Sequence, residues 1–130
     1  PSYNGCEVQI LDDFNREAAS GSKLAPYQFT GGLYGAQAPA KSALKPIGEW
    51  NTYQVNCVGS RMQCALNGVI LCDVDTNSLK PKQGEPFAKR AKRGFIGMQR
   101  HGAAGKTDSD VGIAFRNIFV RDLDVSGGTD

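Results

Sequence analysis

The sequence predicts an all-β fold of short antiparallel strands, and three observations lead there. Sixteen glycines and six prolines in 130 residues interrupt the chain too often for long helices. Its apolar residues come in short runs rich in Val, Ile, Phe and Tyr, side chains that suit a pleated, half-buried surface. Asn67-Gly68 separates two alternating stretches, and both residues tolerate the positive φ that a type I′ hairpin turn requires. The expected result is a single domain built as a sandwich or barrel, with little helix.

Taken in order, residues 6–11 alternate, with Cys6, Val8 and Ile10 on one face and Glu7, Gln9 and Leu11 on the other, which predicts a first strand. Asp12-Asp13 ends it, capping the strand end or the next turn, and residues 14–30 form an excursion with one helical turn at 15–19. The glycine-dense stretch 30–35 is a short strand or a tight turn. Residues 36–48, with Pro39 and Pro46, form a surface loop. From residue 49 to 75 the pattern gives a three-stranded antiparallel meander: Tyr53, Val55 and Cys57 alternate, Gly59-Ser60 reverses the chain, Met62, Cys64 and Leu66 alternate, and the strand 69–74 returns. Residues 76–93 are a long loop. A strand is expected at 94–102, a Gly- and Asp-rich loop at 102–110, and a last strand at 111–123 whose phase slips near Arg116-Asn117, as a bulge would make it. Residues 126–130 form a flexible tail.

The net charge of +2 is too small to predict nucleic-acid binding, and the basic cluster Lys89, Arg90, Lys92 and Arg93 reads as a solvated loop. No apolar stretch reaches the roughly 18 residues of a membrane helix. Four cysteines, Cys6, Cys57, Cys64 and Cys72, permit three fully paired disulfide patterns or remain as thiols. Cys57 and Cys64 fall on the apolar faces of consecutive strands and are candidates for cross-strand neighbours. Cys72 falls out of phase with Cys64 across the Asn67-Gly68 turn, which argues against a bond between them. No Cys/His spacing points to zinc. No cofactor is expected; calcium at Asp12-Asp13 is an alternative without the dense ligand loop calcium favours, and a metal held by Glu7, His101 and Asp12 competes with a catalytic role for Glu7.

His101 is the sole histidine and the side chain best suited to proton transfer near neutral pH. Strand alternation puts it beside Gln99, away from Ile96 and Met98. The same alternation projects Glu7 and Gln9 together from the first strand.

Glu7-Val-Gln-Ile-Leu-Asp-Asp13, Thr30-Gly-Gly-Leu-Tyr-Gly35, Gly48-Glu-Trp-Asn-Thr-Tyr53, Leu66-Asn-Gly68, Gly94-Phe-Ile-Gly-Met-Gln-Arg-His-Gly102 and Phe115-Arg-Asn-Ile118 occur in this order. The series resembles the 3-keto-disaccharide hydrolase family, described as glycosidase-related. The resemblance implies a concanavalin A-like, jelly-roll-type antiparallel β-sandwich with a sugar site on its concave sheet. Residues 1–125 would then be the C-terminal two-thirds of one domain. The N-terminal strands would come from the same longer polypeptide or from another chain, since a sandwich without them leaves a sheet edge and a core face unpaired.

For such a family the chemistry starts at C2 of a 3-keto sugar, whose hydrogen is acidic because the carbanion delocalises into the adjacent carbonyl. A base removes it, the C1 oxygen leaves, and water adds to the product. The site needs a base, donors for the enolate and an acid for the leaving group. His101 and Glu7 are the candidates for base and acid. Gln9 and Gln99 would hold hydroxyls or the enolate, and Arg116 would add positive charge if the bulge turns it inward. Tyr34 and Trp50 are candidates for stacking on the sugar, with packing as the competing role of each. Three functions remain open: an enzyme cleaving 3-keto glycosides, a non-catalytic carbohydrate-binding module, and a structural or assembly domain, because fold alone does not choose among them. The partner in the first two is a carbohydrate or glycoside, with no nucleic acid and no membrane span; a periplasmic or extracellular location fits the resemblance and the cysteines.

Overall fold

The computed structural model describes residues 4–100 and 112–123. The chain divides into two compact units, Pro1–Gly94 and Phe95–Asp130.

In the first unit the meander is the frame. Strands β1 (Tyr53–Val58), β2 (Arg61–Leu66) and β3 (Val69–Asp75) form one antiparallel sheet in the order β1-β2-β3. Asn67 (φ 52°) and Gly68 (φ 80°) make the β2–β3 turn in the left-handed region, as a type I′ turn demands. The Asn67 side chain also fixes the preceding loop: its Nδ2 donates to the Ala43 carbonyl at 2.7 Å and to Asn51 Oδ1 at 2.8 Å, while its Oδ1 accepts from the Thr52 N–H.

β2 alternates strictly, burying Met62, Cys64 and Leu66 and leaving Arg61, Gln63 and Ala65 on the other face. β3 breaks that alternation. Ala65 pairs with Ile70, yet Cys64 pairs with Cys72, so Leu71 is an extra residue and both Leu71 and Cys72 are buried. This bulge corrects the expected phase of the cysteines: it advances β3 by one position and sets Cys72 directly opposite Cys64. Cys57 pairs with Met62 and is therefore diagonal to Cys64 on the same face. All four cysteines are thiols, Cys64 and Cys72 buried, Cys6 and Cys57 exposed.

The buried core centres on Leu33, Met62 and Phe87, with Val8, Ala36, Val74 and Leu79 packed against it. Segment 6–11 is shorter as a strand than its alternation suggests. Only Val8 forms a bridge, to Leu33, because the partner segment is itself a tight turn in which Leu33 also bridges Gln37. Cys6 and Ile10 therefore stay exposed. The helical turn forms as α1 (Arg16–Ser20) and stops at Gly21, whose φ of 66° suits a helix C-terminus.

Loop 76–93 is more built than a solvated loop. It contains 3₁₀ turns at Thr76–Ser78 and Phe87–Lys89. Arg90 departs from the basic cluster's expected exposure: it is 7% exposed, stacks 3.8 Å from the Phe87 ring centroid, and donates to the carbonyls of Glu85 and Gly5. Guanidinium groups tolerate such burial because their planar faces are weakly hydrated and their edges can be saturated by carbonyls. Lys89, Lys92 and Arg93 are exposed.

In the second unit, the strands expected at 94–102 and 111–123 are absent among the described residues. Alternation alone does not make a strand; a hydrogen-bonded partner does. Asn117 nonetheless adopts φ 52°, a left-handed kink at the expected phase slip.

Candidate functional site

A short ribbon carries three of the expected site residues, Glu7, Gln9 and Tyr34, to one place. Gln9 N–H donates to the Gly32 carbonyl at 2.9 Å, Gly31 N–H to the Gln9 carbonyl at 2.9 Å, and Tyr34 N–H to the Glu7 carbonyl at 2.8 Å. With Val8 opposite Leu33 in the core, Glu7 stands across from Tyr34, and Gln9 across from Gly32, on the other face. Gly32 has to be glycine: a Cβ there would lie 2.9 Å from the Tyr27 carbonyl oxygen and 3.0 Å from that of Gln37.

Around Tyr34 the structure gathers residues that the sequence pattern did not single out. The Tyr27 ring meets the Tyr34 ring edge-on, 5.6 Å between centroids at 81°, a favourable aromatic geometry. Gln28 Nε2 donates to Tyr34 Oη at 3.4 Å, and Lys82 Nζ donates to Tyr27 Oη at 3.2 Å. Lys82 is brought there by its own backbone, whose N–H bonds the Gly35 carbonyl at 2.7 Å. Tyr27 and Gln28 belong to a 3₁₀ turn, Pro26–Gln28, opened by proline. Pro26 was the available signal for that turn; Lys82, 55 residues from Tyr27, had none. The ribbon thus assembles a carboxylate, two phenols, an ammonium group and an amide, the types that transfer protons and bind hydroxyl groups.

Two further groups anchor the ribbon. Tyr53 Oη donates to the Gln9 carbonyl at 2.9 Å, and burial drives its phenol pKa upward, so it serves as a neutral donor. Thr30 is 2% exposed; its N–H donates to both Asp13 carboxylate oxygens at 3.1 Å, and its hydroxyl accepts from the Leu11 N–H. Burial raises the Asp13 pKa despite these bonds, which act in the opposite direction. Asp12 accepts from the N–H groups of Phe14 and Asn15, the turn-capping role expected of this pair.

The remaining expected residues lie elsewhere. Trp50, 44% exposed, follows the turn in which Glu49 N–H bonds the Pro46 carbonyl, in the loop leading to β1. Gln99 and Arg116 belong to the second unit, where both are exposed. His101 lies outside the described residues.

Two likenesses place this chain among the carbohydrate-active, glycosyl-hydrolase-like domains. The family model for the 3-keto-alpha-glucoside-1,2-lyase-like domain matches residues 1–121, and the chain belongs to that family. Among solved structures it is similar to a protein from Parabacteroides distasonis ATCC 8503 proposed to be a glycosyl hydrolase, with 26% identity and a TM-score of 0.57 over 68% of this chain and 50% of that one. The chain spans half the length of that structure. Comparison with curated proteins gives no match. Among the described residues no helix is long and apolar enough to cross a membrane.

Proposed function

We propose that this chain is a carbohydrate-active domain that cleaves 3-keto glycosides. The carrying observation is the placement of Glu7 opposite Tyr34 on a ribbon inside the matched family segment. A carboxylate at Glu7, or the imidazole of His101, takes the C2 proton. The electron pair enters the C3 carbonyl as an enolate, returns to form the C1–C2 double bond, and the C1–O bond breaks. The leaving oxygen receives a proton from a general acid. Water then adds across the new double bond, so the net change is hydrolysis without oxidation or reduction. Tyr34, hydrogen-bonded to Gln28, and the Tyr27–Lys82 pair supply donors near the ribbon for the enolate or for ring hydroxyls.

The test is release of 4-nitrophenol from its 3-keto-glucoside by the intact protein. Glu7→Gln and His101→Ala are each expected to lower turnover by about 10²–10⁴-fold, the usual worth of a general acid or base. Wild-type rates in both variants would sink the mechanism.

A further inference from the structure

The meander has two faces, and the buried core covers one. Met62, Cys64 and Leu66 are buried on the inner face, where Val8 and Leu33 pack with Met62. On the outer face Asn56, Gln63 and Asp73 stand in register across all three strands. Their side chains are joined: Asn56 Nδ2 donates to Gln63 Oε1 at 3.3 Å, and Gln63 Nε2 donates to Asp73 Oδ2 at 2.9 Å. Arg61 closes the row with paired bonds to Asp73, both 2.8 Å, and Gln54 Nε2 extends it at the other end by donating to Asn56 Oδ1 at 3.3 Å. Two aliphatic side chains of the same face flank the row, Val58 across from Arg61 and Ile70 across from Ala65, 55% and 51% exposed. The Arg61–Asp73 end opens on a shallow depression that Ser60 and Asp75 also line.

The row is preorganised. Each bond holds a side chain in one rotamer, so that entropy is lost on folding and not again on binding. Each amide still has an N–H and lone-pair capacity to offer. A sugar hydroxyl donates and accepts at once, and a sugar ring presents apolar C–H groups on its faces; planar polar groups set between exposed aliphatic side chains match both. The carboxylates of Asp73 and Asp75 outnumber the Arg61 guanidinium, which favours an uncharged glycan over one bearing uronates or sulfates.

The geometry points to a second carbohydrate surface: the Asn56–Gln63–Asp73–Arg61 row binds a neutral polysaccharide on the face of the meander opposite the core. The ligand class rests on the carbohydrate reading above; the surface does not depend on Glu7 chemistry. Its test is affinity electrophoresis of the intact protein in gels containing soluble starch, a mixed-linkage β-glucan or a galactomannan, with carboxymethyl cellulose as the charged comparison. The wild type is retarded in at least one neutral gel and not by carboxymethyl cellulose. The double variant Asn56→Ala, Gln63→Ala weakens that retardation at least tenfold, while it still unfolds in one cooperative transition and keeps 3-keto-glucoside turnover within twofold of wild type. Glu7→Gln leaves retardation intact. Absence of retardation in every neutral gel, equal retardation by carboxymethyl cellulose, or a double variant that binds as wild type overturns the surface. Those results leave the Glu7 mechanism standing, while a Glu7→Gln variant that turns over normally removes the mechanism and leaves the surface.

Discussion

At the scale of single residues, the Asp13–Thr30 pair shows how a buried polar network behaves in a small β-structure. Removing the acceptor strands the buried Thr30 N–H, so Asp13→Ala is expected to cost about 1–3 kcal/mol. Asp13→Asn keeps an acceptor oxygen and sheds the charge, and its stability should stay within about 1 kcal/mol of wild type. The Asp13 pKa is raised in the folded state, so its favourable contribution is full below the unfolded value and is lost as pH rises through the folded one. Urea unfolding at pH 4 and pH 7 checks both: Asp13→Asn should gain relative to wild type at the higher pH. Asp12 and Asp13 were legible as capping residues because short carboxylates beside a chain reversal have few other uses. That Thr30, 17 residues away, would be the partner of Asp13 had no local signal.

Among the elements, the β3 bulge is the most consequential, and it was hidden by composition. Val69-Ile-Leu-Cys-Asp-Val-Asp75 is apolar through its first four residues, so no polar residue marks where the phase changes. The strands of the meander were legible because β2 alternates and the Asn67-Gly68 turn fixes its register. The bulged Leu71 is 1% exposed and lies against Gly31, and its carbonyl accepts the Ala40 N–H at 2.7 Å. A Cβ at Gly31 would sit 2.3 Å from Leu71 Cδ1, at a backbone φ of +89° that side chains avoid. Gly31→Ala should therefore destabilise the protein by about 2–4 kcal/mol through overpacking and backbone strain. In the Leu71→Ala background the cost should shrink, since only the 3.0 Å approach to the Cβ of residue 71 and the backbone strain remain; a double-mutant cycle by chemical denaturation measures that coupling.

For the molecule as a whole, acid stability brings together oppositely shifted carboxylates. Paired bonds from Arg61, then the Gln63 amide, lower the Asp73 pKa to about 2. Its contribution is present above the ordinary carboxylate range and is lost as pH falls from about 4 through 2. Asp13 shifts the other way, and its dependence falls above about pH 4, outside this window. The unfolding midpoint in urea should fall less steeply between pH 4 and pH 2 in Asp73→Asn than in wild type, and added salt should narrow the difference because the pair is solvent-facing. The all-β character was readable from glycine spacing and alternation, which report local geometry. The site was readable only in part: Glu7 and Tyr34 lie on paired segments with recognisable patterns, whereas Tyr27 and Lys82 meet through loop packing that no periodicity encodes.

Arg90 ties the two ends of the first unit's described chain, since its guanidinium reaches the carbonyl of Gly5 across 85 positions of sequence. The segments around Gly5 and Arg90 are therefore held side by side, although most of the unit's sequence separates them. A substitution at Arg90 would loosen both segments at once, the first residues described and the end of the 76–93 loop. Among the described residues it is a buried cation, rather than a strand or a disulfide, that makes this junction.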